Sequence, residues 1–135
     1  MTLQQEDRKA LVVLRFEKAK KTLTEAKDNI ELGHWNVVAN RLYYACFYAA
    51  SALLVQKGIS AHTHSGVMSQ LGLHFIKNGL ISKEQGELYG RLFDTRQSGD
   101  YDDWVFLKEN DVIHFLEPVE KFIEEIEILI KEEVQ

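Results

Sequence analysis

The chain has 135 residues, 45% of them hydrophobic and 27% charged, with one proline, eight glycines and one cysteine. That excludes a disordered, collagen-like or low-complexity chain and is enough for one core in a single domain, residues 1–135. Sixteen Lys and Arg against 21 Asp and Glu leave a net charge of −5, which argues against a wide nucleic-acid surface but leaves room for a local basic cleft. Cys46, standing alone, cannot form an intramolecular disulfide and points to a reducing compartment. The stretch Met1 to Asp7 lacks the basic and apolar regions of a signal peptide, and no apolar run approaches the ~20 residues of a membrane span. A cytoplasmic protein without a membrane partner is expected.

The first segment, Gln4 to about Leu32, contains neither proline nor glycine. Val12, Phe16, Ala19, Leu23, Ala26 and Ile30 recur every three or four residues, placing one apolar stripe on a helix that Gly33 ends. A second helix is expected from about Trp35 to Lys57, closed by Gly58, with Val38, Leu42, Ala45, Ala49, Ala52 and Leu53 facing the core. Its many alanines imply close approach of a neighbouring helix. The loop from Ile59 to Thr63 leads to a third helix, about His64 to Asn78, stopped by Gly79, with Val67, Leu71, His74 and Phe75 on one face. Ser82-Lys83-Glu84-Gln85 has the form of a capping box and opens a fourth helix. Leu88, Leu92 and Thr95 or Arg96 share one side of it, and it is expected to fade at Ser98-Gly99. The acidic, aromatic run Asp100 to Trp104 has no helical period and is expected to be a loop. A last helix, about Glu109 to Glu133, contains Pro118, which either kinks it or marks a restart; the Glu-rich end around Glu124, Glu125 and Glu127 reads as a solvated face. No stretch alternates with strand period. The fold class expected is all-α, an antiparallel up-down bundle of four to five helices.

Two constellations stand out. Arg41, Tyr44, Tyr48 and Ser51 share a face of the second helix, flanked by Tyr43 and Phe47. They read either as the polar-aromatic wall of a cleft or as tyrosines at an interface, with Arg41 paired to an acid. The second is Arg91 to Asp102, in which the fork of Arg96 suits bidentate phosphate or carboxylate contact. It equally suits an internal pair with Asp100 or Asp94. His62 and His64 have the spacing of a metal pair, but no further ligand lies nearby in sequence, so loop and cap roles are preferred and no metal or other cofactor is expected. His34, His74 and His114 stand isolated. No nucleophile elbow or phosphate-cradling glycine loop occurs. Cys46 falls on the core side of an Ala-rich helix and is expected to be inert.

The run from Asn40 to Leu54 resembles the R-x-Y-Y-A-x-F-x-A-x-x-A-L-L signature of small prokaryotic HEPN proteins. Lys57-Gly58-Ile59 and Thr63 to Val67 add to the likeness, and Arg91 to Tyr101 resembles the R-x-x-x-x-R-x-x-[AG]-D-Y segment of the same group. The resemblance implies a helical bundle that commonly forms a homodimer, with arginine segments of two subunits facing a shared cleft. It also implies kinship with metal-independent ribonucleases, often the toxin half of a toxin–antitoxin pair whose usual partner is a minimal nucleotidyltransferase. The family's ribonuclease motif is an arginine and a histidine with four to six residues between them. Matched to Arg96, that motif puts Tyr101, Asp102 and Asp103 where the histidine would fall. Tyrosine titrates near about 10 and aspartate near about 4, so neither moves a proton readily at neutral pH. The favoured expectation is therefore a nucleotide- or partner-binding module using Arg41, Tyr44, Tyr48, Arg96, Asp100 and Tyr101, with Tyr101 as the position for nucleotidyl modification. The alternative is a diverged ribonuclease acting on RNA, in which Arg96 is the candidate catalytic residue and His64 or His62 supplies the proton transfer.

Overall fold

The computed structural model describes residues 3–132, and among them helices are the only regular elements. The first, α1, spans Leu3–Leu32 without a break. It ends as the glycine predicts: Gly33 takes φ 71°, its N–H reaches the Ile30 carbonyl at 3.0 Å, and the His34 N–H reaches that of Asn29 at 3.1 Å. Those two bonds satisfy carbonyls that the helix end would leave open, and an L side chain would be strained at that φ. The second helix, α2, spans Trp35–Gln56 and closes with the same device at Gly58, φ 72°.

The expected stripe of α1 faces inward, with Val12, Phe16, Ala19 and Ala26 buried and Leu23 and Ile30 half-buried. In α2 the outcome goes further than one stripe. Val38, Ala39, Leu42, Tyr43, Cys46 and Ala50 are all buried, because α1 packs along α2 while α4 (Lys83–Tyr101) and α6 (Leu116–Glu132) cover its other sides. A helix buried on most of its faces belongs at the centre of its bundle. Cys46 lies in that centre, where burial pushes its thiol up and keeps it unreactive.

Three boundaries differ from the sequence expectation. The third helix, α3, spans only His64–Leu71, capped by the Thr63 hydroxyl on the Gly66 N–H. From Gly72 to Ile76 the winding widens to π, and the chain turns at Gly79, φ 82°. His74 is exposed on this stretch and bonds Gln70 instead of joining the apolar face. The fourth helix, α4, opens with the expected capping box, Ser82 with Gln85, but does not fade at Ser98-Gly99. It continues to Tyr101, so Asp100 and Tyr101 are helical and not loop. Gly99 is there for close approach: a Cβ on it would lie 2.7 Å from Leu107 Cδ1, and its carbonyl accepts from Asn36 Nδ2 at 2.9 Å. The last segment breaks upstream of Pro118. A short α5, Glu109–Val112, is followed by a 3₁₀ turn over Ile113–Phe115, and α6 restarts at Leu116. Pro118 thus sits in the first turn of α6, where its missing N–H costs no helical bond. Glu133 lies outside the described residues. Along α6, Glu127 pairs with Lys20 and Glu120 with Lys27 across to α1; exposed pairs of this kind add little.

Leu42→Ala should cost about 2–5 kcal/mol, and Ala49→Leu about 1–3 kcal/mol by overpacking, both read from urea unfolding monitored by circular dichroism.

Candidate functional site

Arg96 sits on the inner face of α4 and is only 5% exposed. A guanidinium cannot shed its charge, so burial requires that its donors and its positive face both be met. Four donor contacts are made. Nε donates to Asp100 Oδ2 at 2.9 Å, Nη2 to the Tyr44 hydroxyl at 2.8 Å and to the Tyr101 hydroxyl at 3.4 Å, and Nη1 to Gln97 Oε1 at 3.3 Å. The charge is met by three aromatic rings, those of Tyr43, Tyr44 and Tyr101, whose centroids lie 5.1, 5.0 and 5.3 Å from the guanidinium carbon. Cation–ring contacts reach about 2 kcal/mol when desolvated.

The polar contacts continue as a chain across three helices. Asp100 Oδ2 also accepts from Asn40 Nδ2 at 2.9 Å. Asn40 Oδ1 in turn accepts from Arg41 Nε and Nη2 at 2.9 and 2.7 Å, and Arg41 Nη1 reaches Glu25 Oε1 at 3.3 Å. Arg41 stands 5.5 Å over the Tyr44 ring, so the two arginines bracket one tyrosine. They meet within a single chain. Of the residues singled out from sequence, Arg41, Tyr44, Arg96, Asp100 and Tyr101 therefore come together. Tyr48 lies further along α2 with Lys18 Nζ 4.6 Å from its ring. Ser51 leaves the wall altogether: it is buried and accepts a hydrogen bond from Arg15.

His64 is the residue whose place the sequence concealed. It heads α3, two positions after His62, yet the two rings serve different places. His64 Nδ1 shares a hydrogen bond of 2.8 Å with the Tyr43 hydroxyl, and its ring packs against Tyr43, Tyr44 and Phe47. His62 borders a separate cavity beside α1. Among the described residues no three His, Cys, Asp or Glu side chains converge as a metal site. His64 and Arg96 thus lean on the same two tyrosines. Burial, followed by the positive field of Arg96, holds His64 below its ordinary value of 6.5, so its imidazole is neutral at neutral pH. Burial also pushes the Tyr43 hydroxyl up to about 12, so it stays protonated.

The arrangement offers a fixed cation, a neutral imidazole and, at its outer edge, the Tyr101 phenol. Tyr101 is 69% exposed and borders a shallow concavity of about 450 Å³ with Gln97, Asp102 and Trp104. Trp104 and Phe106 nearby are 90% and 79% exposed. A different cavity, about 550 Å³, lies between the start of α4 and α6, lined by Gln85, Arg91, His114 and Lys121 among others.

The HEPN domain family model matches residues 12–129. The chain belongs to the HEPN domain family. A UPF0332 protein of Thermotoga maritima is 38% identical over 115 residues, which are 85% of this chain and 87% of that one. A Methanocaldococcus jannaschii protein bearing the name "Putative toxin" is 31% identical over 101 residues, 75% of this chain and 69% of its own. The crystal structure of TT1696 from Thermus thermophilus superposes with a TM-score of 0.73 at 17% identity, covering 86% of this chain and 95% of that one, a likeness of fold. Arg41, Tyr43, Tyr44 and Arg96, among the residues on which the resemblance in sequence rested, are the ones that assemble the buried-arginine centre. No described helix is long and apolar enough to cross a membrane.

Two outcomes test this centre. Asp100→Asn should lower stability by about 3 kcal/mol, since it leaves the buried guanidinium without its carboxylate, a loss readable in urea unfolding. His64 gives a pH signature. A lowered folded pKa means the unfolded chain binds more protons below 6.5, so stability is full above that pH and falls as the solution is acidified through it. The melting temperature of His64→Asn should decline less steeply than that of the wild type over the same interval.

Proposed function

We propose that this chain is the HEPN half of a toxin–antitoxin-like pair acting in the cytoplasm. In this reading it is a nucleotide- or partner-binding module whose usual state is a homodimer and whose partner is a minimal nucleotidyltransferase. The observation that carries the reading is the Tyr101 hydroxyl, on an exposed side chain, held 3.4 Å from the buried guanidinium of Arg96. A cation at that point favours the negative charge of an incoming phosphate and orients the phenol toward it. The transferase would set the Tyr101 oxygen against the α-phosphorus of a nucleoside triphosphate; the phenolic proton passes to a base on the transferase and pyrophosphate leaves. Exposed Trp104 and Phe106 beside the site supply apolar area for a docking protein, and relatives named as toxins agree with the role. Co-expression with a minimal nucleotidyltransferase encoded beside the gene should add one nucleotidyl group at Tyr101, read by peptide mass spectrometry, and none to Tyr101→Phe. An unmodified Tyr101 in the presence of an active transferase would overturn the reading.

A second reading has its own observation in the neutral imidazole of His64 beside Arg96. In a diverged ribonuclease, His64 would take the proton of an RNA 2′-hydroxyl while Arg96 steadies the phosphate. Proton transfer of this kind contributes about 10²- to 10⁴-fold. RNA cleavage that persists in EDTA and disappears in both Arg96→Ala and His64→Asn would establish it; cleavage indifferent to either would dismiss it.

A further inference from the structure

The cavity between α1, the second half of α2 and the loop that follows α2 has a volume of about 290 Å³. Its floor is apolar, with Leu11, Leu54, Ile59 and Val67, and its polar wall consists of Arg8, Arg15, Ser51, Ser60 and His62. No carboxylate lines it. Among the described residues neither Arg8 nor Arg15 pairs with an Asp or Glu, so the charge of the hollow is uncompensated by its own lining. Two guanidiniums lining one hollow that has no carboxylate give it a positive field, which favours an anion there.

The hollow is also built, not incidental. Ser51, 5% exposed, is the anchor of Arg15: its hydroxyl accepts from Nη1 and leaves the remaining donors of that guanidinium uncommitted. Arg8 lies flat on Gly58. A Cβ there would stand 3.3 to 3.7 Å from its guanidinium atoms, so the glycine that ends α2 also makes room for the fork. The spacing of Arg8 and Arg15, seven residues on one helix, puts them on the same face two turns apart.

We propose that this cavity is a binding site for a phosphate monoester, separate from the Arg96 centre. A monoester is largely dianionic at neutral pH and presents three acceptor oxygens, which matches two forked cations with hydroxyls and an imidazole at the rim. The volume lies at the small end of ligand pockets, sized for the phosphate and the group attached to it. On α2, Ser51 is seven residues beyond Tyr44, about 10 Å along the axis. The proposal stands on residues that the Arg96 site does not use, and holds whichever reading of that site is correct.

The test is an NMR titration of the full chain at low salt with inorganic phosphate, adenosine monophosphate, and a short RNA carrying either a 5′-phosphate or a 5′-hydroxyl. Phosphate should shift the amides of Ser51, Ser60 and Ala61. Arg8→Gln, which leaves the buried Ser51 contact intact, should weaken binding by about tenfold or more, and Arg8→Gln with Arg15→Gln further, while the amides of Arg96 and Tyr101 stay unshifted and Arg91→Gln, at the other cavity, binds as the wild type does. Tighter binding of the nucleotide, or of the 5′-phosphorylated RNA over its hydroxyl form, names the source of the monoester. Shifts that acetate reproduces equally, binding unchanged in the double variant, or shifts centred on Arg96 and Tyr101 would overturn the proposal. So would an Arg8→Gln variant that loses only thermal stability, which would make Arg8 a mere counter-charge to the carbonyl end of α2.

Discussion

A charge that cannot be neutralised has been placed inside a small bundle. Arg96 is buried, and the rest of the functional end follows from the need to satisfy it: a carboxylate one turn on, two phenols accepting from it and three rings around it. Each of those groups then recruits a support of its own. Asp100 is fixed by Asn40, Asn40 by Arg41, and Arg41 by Glu25, so that α1, α2 and α4 are tied at one level by a single polar chain. Isolated surface pairs contribute little, but a network around a desolvated cation is worth more than its separate contacts.

The same feature bears on what the site can do. Four of the five N–H donors of Arg96 are engaged, and its outer neighbours are the Tyr101 phenol and the weakly held Gln97 amide. Access to the guanidinium therefore runs through Tyr101, and covalent modification of that hydroxyl would alter the arginine's surroundings directly. The internal Arg96–Asp100 pair is compatible with the proposed ligand-facing role, since both hold the guanidinium against the Tyr101 phenol.

Much of this was legible from the amino acids. Helical period fixed the stripe of α1, the glycines at 33, 58 and 79 marked turns that do take positive φ, and the capping box at Ser82 marked the start of α4. The alanines of α2 indicated close neighbours but not their number, because periodicity reports one buried face and α2 is covered on several. Gly99 was misleading: glycine serves both chain reversal and close approach, and only the position of Leu107, eight residues on, separates the two. His64 was named beside His62 as a candidate proton carrier, but its surroundings were not legible, for a related reason. Its partners Tyr43 and Arg96 are distant in sequence, and the i, i+2 spacing with His62 drew attention to a pairing that the entry into α3 pulls apart. Ser51 followed the period of the tyrosine wall, yet the helix that covers it turned it toward Arg15.

The two-residue reversal at Gly33 and His34 has a bearing on how the molecule assembles. It sets the two longest helices side by side in antiparallel order with almost no connecting chain, and this pair shares the largest interface among the described elements. Closing so short a connection costs little chain entropy, and contacts near in sequence form early. Chain entropy accordingly favours residues 3–56 as the nucleus of the fold, ahead of the arginine-bearing helix.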